Sequence, residues 1–127
     1  MRLLLDTHIF LWACDAPNKL SAATRQAIAD ETNYVAVSAA TAWEIAIKVG
    51  GGRLRFPVQF WSERIATLGV ETIPILPAHA LEAGALPELH KDPFDRMLIA
   101  QARLEGLMIV TQDRLIRQYD IALFAAR

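Results

Sequence analysis

Apolar residues along this chain fall into two patterns that take turns, short unbroken runs and longer stretches in which they recur every three to four positions. An unbroken run has no polar face and predicts a strand covered on both sides. The three-to-four repeat predicts a helix with one buried stripe. Arg2-Leu3-Leu4-Leu5 is the first such run, and Asp6 ends it. A helix is expected over residues 8–13, and a second from the N-cap Ser21 to about residue 30. Tyr34-Val35-Ala36-Val37 predicts the next strand, followed by a helix over about residues 42–49 that Gly50-Gly51-Gly52 stops. Pro57 opens an expected helix reaching about Leu68, and residues 70–76 read as a strand that Pro74 places at a sheet edge or terminates. A short helix near residues 79–83 precedes the clearest one, over residues 93–105, where Phe94, Leu98 and Ala102 share a face and Gly106 supplies the stop. Residues 107–111 form another buried run, residues 114–119 one or two helical turns, and residues 121–124 a last strand.

Runs alternating with helical stretches define an α/β layer fold with a parallel sheet, here of four to five strands. At 127 residues the chain is long enough to bury one core, and residues 1–127 are expected to form one domain. Hydrophobic residues make up 54% of the chain, yet no run approaches the ~18 apolar residues of a membrane span, and a charge follows only three leucines at the start. A cytoplasmic protein is expected. The single cysteine, Cys14, excludes an internal disulfide and a multi-thiolate metal site. A net charge of −1 gives no global field to attract nucleic acid, so any basic patch must be local, with Arg53, Arg55, Lys91, Arg96, Arg103, Arg114 and Arg117 as candidates.

The candidate chemistry lies in acids at element ends. In an open parallel sheet, ligands bind beyond the carboxyl ends of the strands, where loops and helix N-termini converge. Asp6 follows the first strand and Asp113 sits two residues past Thr111 at the end of another. Glu44 and Asp95 are expected in the first turns of helices whose starts face the same edge. Each has a plainer reading alone. Thr41-Ala42-Trp43-Glu44 fits a capping box, Asp92-Pro93-Phe94-Asp95 supplies an N-cap and an acid for the helix dipole, and Asp113 can cap the segment after it. Only Asp6 lacks an evident structural role. Gathered in one crevice, four carboxylates repel one another, and a bound cation resolves the conflict. An oxygen-only ligand set suits Mg²⁺ or Mn²⁺, ions that activate water and hold a phosphodiester in line.

These segments together resemble the PIN-domain family, and within it the VapC-like toxins of bacterial toxin–antitoxin pairs. Met1-Arg2-Leu3-Leu4-Leu5-Asp6-Thr7-His8 is similar to the family's opening strand and first acid. Ser38-Ala39-Ala40-Thr41-Ala42-Trp43-Glu44-Ile45, with Lys48 and Gly52-Arg53-Leu54, is similar to the second motif. The segment from His90 through Asp95 to Ala102 resembles the third, and Val110-Thr111-Gln112-Asp113 the fourth, with Thr111 near the metal. The resemblance implies a three-layer α/β/α fold, Mg²⁺- or Mn²⁺-dependent endoribonuclease activity through Asp6, Glu44, Asp95 and Asp113, a homodimer, and a cognate antitoxin as partner beside the RNA substrate. Asp92, three residues before Asp95, is the alternative third ligand but the better N-cap. His8 is expected to pack beside the first helix, and His79 and His90 to be surface or loop residues, since neither has a partner at metal-binding spacing. Aromatic residues around Trp43 and Trp61 suggest an exposed apolar groove for an antitoxin helix.

Other classes fit less well. A HAD-type phosphatase needs a second acid where His8 stands, the glycines at 50–52 lack the lysine spacing of a P-loop, and no G-x-S-x-G elbow is present. Two alternatives stay open, a non-catalytic PIN-like module that binds antitoxin or RNA, and a DNA-directed nuclease.

Overall fold

Leu3, Leu4 and Leu5 are fully buried in the middle strand of a five-stranded sheet. The computed structural model describes residues 1–125. Its strands are β1 (Arg2–Leu5), β2 (Tyr34–Ser38), β3 (Glu71–Ile73), β4 (Met108–Thr111) and β5 (Leu123–Ala125). They lie in the order β3-β2-β1-β4-β5 and pair in parallel throughout. Six helices cover the sheet: α1 (Thr7–Asp15), α2 (Ala22–Ala29), α3 (Ala39–Gly50), α4 (Trp61–Leu68), α5 (Pro77–Ala85) and α6 (Pro93–Glu105).

The unbroken apolar runs follow from burial on two faces. Leu3, Leu5, Val35, Val37 and Val110 face a core completed by Ile9, Phe10, Ile28, Ile45 and Phe56. Leu4, Ala36 and Ile109, between them in sequence, face the opposite core with Leu98, Ile99, Ala102, Ile116 and Tyr119. Side chains alternate across a strand, so neither face leaves room for a polar residue. The result is the expected three-layer α/β/α arrangement.

Element ends depart from the sequence reading in instructive places. Helix α3 begins at Ala39, directly after β2, because Ser38 is its N-cap and accepts from the Ala40 amide at 2.9 Å. The Thr41–Glu44 capping box therefore does not form, and Glu44 lies in the second turn rather than the first. Pro57 precedes a single 3-10 turn, Val58–Phe60, and the α-helix starts only at Trp61. Strand β3 shortens to three residues on the sheet edge, ending before Pro74, which has no amide to donate. Gly106 ends α6 at φ +66°, a left-handed conformation that a Cβ would strain.

Trp61 is packed rather than presented. Its ring lies 5.1 Å from Phe10 and 6.4 Å from Phe56, and its indole N–H donates to Thr72. Trp43, by contrast, is 62% exposed and meets Phe94 edge-on, with Ile47 also exposed one turn further along α3. Burial pushes the Cys14 thiol up to about 11, so it stays protonated and unreactive at neutral pH. Among the described residues, no helix is long and apolar enough to cross a membrane.

Candidate active site

The chain runs outward from β1 to β2 and β3, then returns to lay β4 on the other side of β1. Connections from β1 and β4 thus diverge, and a crevice opens beyond their carboxyl ends, as at the switch point of other open α/β sheets. The crevice is a cavity of about 460 Å³, and Asp6, Glu44, Asp95 and Asp113 all line it. So do Thr7, His8, Trp12, Lys48, His90, Asp92 and Gln112.

Asp6 is held from two sides. Its Oδ1 accepts from the Ile9 amide at 2.8 Å, making it the N-cap of α1, and its Oδ2 accepts from the Thr111 hydroxyl at the end of β4. A capping role for Asp6 was not evident from sequence, because the helix begins immediately after the acid instead of two residues later. Burial raises its pKa, against the lowering effect of the Thr111 and Ile9 hydrogen bonds.

Asp95 sits in the first turn of α6, whose N-cap is Asp92. The Asp92 Oδ1 accepts from the Phe94 and Asp95 amides at 2.8 and 3.0 Å. One oxygen of Asp92 is thus engaged in the cap, while the Asp95 carboxylate points to His90 Nε2 at 2.7 Å. Burial first, and then the neighbouring Asp92 charge, push the Asp95 pKa up to about 7, with His90 opposing. Mutual repulsion is therefore the lesser cause at both Asp6 and Asp95, and desolvation the greater, reversing the weight the sequence alone suggests.

Asp113 accepts through Oδ1 from the Leu115 and Ile116 amides at 2.7 and 3.3 Å, closing the turn after β4. Its own amide donates to Thr111 Oγ1 at 2.9 Å, so Thr111 links Asp6 and Asp113. Glu44 is buried and paired. Its Oε1 accepts from the Thr7 hydroxyl at 2.7 Å, and its Oε2 from Lys48 one turn along α3 at 2.9 Å. Among the described residues, His90, Asp95 and Asp113 have ligand atoms that all lie within 4.8 Å of one another, a group that does not include Asp6 or Glu44.

Both histidines are more buried than the sequence reading expects, although His90 does lie in a loop, between α5 and α6. His79 and His90 are 2% and 9% exposed, not surface residues. His79 accepts from the Leu76 amide and bridges to Glu105, at the end of α6 away from the crevice. His90 is a crevice residue that no metal-binding spacing along the chain marks. The ring reaches Asp95 across the Asp92-Pro93 helix start instead. His8 is exposed at the crevice and meets Trp12 edge-on at 5.6 Å. Arg96 leaves the list of basic-patch candidates. Its guanidinium donates to the carbonyls of Ala83, Leu86, Pro87 and His90 at 2.8 to 3.1 Å, closing the α5–α6 connection on itself.

Fold and crevice together define a parallel α/β protein with a carboxylate-lined site at its switch point. The chain matches the PIN domain family over residues 3–122 and belongs to it. It is 36% identical over 120 residues to Ribonuclease VapC22 of Mycobacterium tuberculosis, across 92% of this chain and 91% of that protein. Among solved structures, the crystal structure of VapBC2 from Rickettsia felis bound to a promoter DNA fragment matches with a TM-score of 0.74 at 18% identity, covering all of both chains. The structure of PAE2754 from Pyrobaculum aerophilum matches with a TM-score of 0.58 at 18% identity, over 97% of this chain and 83% of that one. At such identities these two likenesses speak for the fold.

Proposed function

We propose that this chain is a VapC-family ribonuclease, the toxin of a toxin–antitoxin pair, and that its crevice hydrolyses RNA phosphodiester bonds. The observation that carries the reading is the meeting of Asp6, Glu44, Asp95 and Asp113 in one cavity of a chain 36% identical to a ribonuclease across nearly its whole length.

The donor set fits a divalent cation. Asp6 and Asp95 are desolvated carboxylates with raised pKa values, and a cation is the partner that would stabilise their ionised forms. Asp6, Asp95 and Asp113 would hold it, with Glu44 beside them, and mostly oxygen donors favour Mg²⁺ or Mn²⁺. Such an ion supplies water activation and charge neutralisation at the phosphodiester. The chain's own residues do the rest. Thr111 and the Ile9 amide fix the Asp6 carboxylate, Thr7 and Lys48 fix Glu44, and Asp92 is spent on capping α6. Lys48 and His8 place N–H donors on the wall of an otherwise acidic cavity, where a phosphate oxygen can accept.

A cognate antitoxin, a homodimeric assembly and a cytoplasmic setting are part of the same proposal, and exposed Trp43 and Ile47 with half-buried Phe94 form an apolar surface beside Glu44 and Asp95 in the chain. Purified protein is expected to cut RNA with Mg²⁺ or Mn²⁺, to stop on chelation, and to leave DNA of matched sequence intact. Asp6→Asn is expected to lower the rate at least ~100-fold, the scale of losing a key electrostatic group. Undiminished cleavage by that variant under matched Mn²⁺ would overturn the assignment.

A further inference from the structure

The His90 ring is bonded at both of its nitrogens, and its backbone is tied down as well. The Asp92 amide approaches Nδ1 at 3.4 Å, which leaves Nε2 as the ring nitrogen turned to Asp95. Nε2 lies 2.7 Å from Asp95 Oδ2, where a ring N–H donates to the carboxylate. The main-chain N–H of His90 donates to the Tyr119 hydroxyl at 2.9 Å, and its carbonyl accepts from Arg96 at 3.1 Å. Tyr119 in turn donates to the Pro87 carbonyl at 2.6 Å, so the whole connection before α6 is anchored to both the helix and the turn after β4. A short, nine-tenths-buried histidine held this way has little freedom to swing toward another partner.

We propose that His90 is a positioning residue for the nuclease reaction, and that its Nε2–H fixes one oxygen of Asp95 so that the other faces the metal and the scissile phosphate. The proposal rests on the metal-dependent reading of the crevice. Without that bond, Asp95 lies at a helix start beside the Asp92 carboxylate, which repels it, and its side chain is free to rotate toward solvent. With it, the carboxylate is held in one orientation before any cation arrives, which removes that ordering cost from binding. The competing role for the same ring is direct ligation, since its Nε2 belongs to the cluster formed with Asp95 and Asp113. The inward hydrogen bond to Asp95 and the approach of the Asp92 amide to Nδ1 favour positioning.

The two roles separate by spectroscopy and by substitution. The ¹⁵N shifts of the metal-free protein are expected to show a proton on Nε2 of His90. Spin-echo modulation spectra of the Mn²⁺-loaded parent, with ¹⁵N-labelled histidine, are expected to show no strong nitrogen coupling assignable to His90. In Mn²⁺ titrations followed by the free-ion resonance signal, His90→Ala is expected to bind roughly 10-fold or more weakly, the usual scale for losing a group that orients a ligand. Its kcat for RNA falls with KM nearly unchanged. His90→Gln, whose amide nitrogen reaches the place of Nε2, restores most of both, and His90→Asn, whose amide mimics only Nδ1, does not. A strong nitrogen coupling lost in His90→Gln, an Nε2 without a proton, or equal Mn²⁺ binding by parent and His90→Ala would overturn the positioning role alone. A parent that binds no Mn²⁺ would overturn the metal reading and this proposal with it.

Discussion

The hydroxyl of Thr111 donates to the carboxylate of Asp6, joining the ends of β4 and β1 across the crevice. Both side chains are buried, and the same Thr111 oxygen accepts from the Asp113 amide, so one hydroxyl sets the spacing of two acids. Thr111→Val keeps the shape and removes the donor and the acceptor together. It leaves Asp6 Oδ2 and the Asp113 amide without those partners, which costs on the order of 1–3 kcal/mol. A denaturant midpoint shifted to lower concentration with an unchanged slope is expected. A midpoint equal to the parent's would mean that the bond contributes nothing net.

Asp95 ties stability to pH and to metal. Its pKa is about 7 in the folded, metal-free protein, against 3.8 for the ordinary group. The folded state therefore holds the proton more tightly than the unfolded chain. The stability it contributes is full below about 4 and is lost as pH rises toward the folded value near 7. Above that, the buried charge is a strain, and Asp95→Asn is expected to relieve it. At pH 8 with chelator, a gain of ~1 kcal/mol would raise the melting temperature by roughly 3–6 °C. Saturating Mn²⁺ should reverse the order, since a ligand at ~100 times its dissociation constant stabilises the binding protein by ~2.7 kcal/mol. Melting curves at pH 4 and pH 8, with and without Mn²⁺, check the sign. A variant less stable than the parent at pH 8 without metal contradicts it.

Arg96 gives a prediction away from the acids. Five carbonyls accept from its guanidinium, those of Ala83 and Gly84 in the last turn of α5 and of Leu86, Pro87 and His90 in the connection after it, and no lysine can reach them all from a single ammonium. Arg96→Lys is expected to loosen residues 86–92 while leaving the sheet intact. Amide hydrogen exchange should quicken in that connection and remain slow in β1, β2 and β4. Unchanged protection at His90 would show that Tyr119 alone holds the segment.

Much of the architecture is legible in the order of residues, and the reason is local. Leu3-Leu4-Leu5, Val35-Ala36-Val37 and Ile109-Val110 carry no polar alternation, so a two-sided sheet follows from periodicity alone, and Gly106 marks a helix end by a conformation other residues avoid. Asp6, Asp95 and Asp113 are equally visible, because each stands where a run stops or a helix starts, whereas Glu44 lies in the second turn of α3. What each acid touches is not. Ser38 displaced Thr41 as the N-cap of α3, and Glu44 gained Thr7 and Lys48 in place of a capping bond, because β2 passes into α3 without an intervening loop.

By itself, then, the sequence determined the layer order, the edge of the sheet where acids collect, and the choice of Asp92 rather than Asp95 as helix cap. Only the tertiary structure decided that Asp6 meets Thr111 from 105 positions away, that Arg96 is a clamp rather than part of a basic surface, and that His90 faces Asp95 from inside the protein. Local propensity and periodicity depend on neighbours a few residues apart, whereas burial, desolvation and cross-strand hydrogen bonds depend on which segments the sheet order brings side by side. That order places β4 next to β1, and the site exists only because of it.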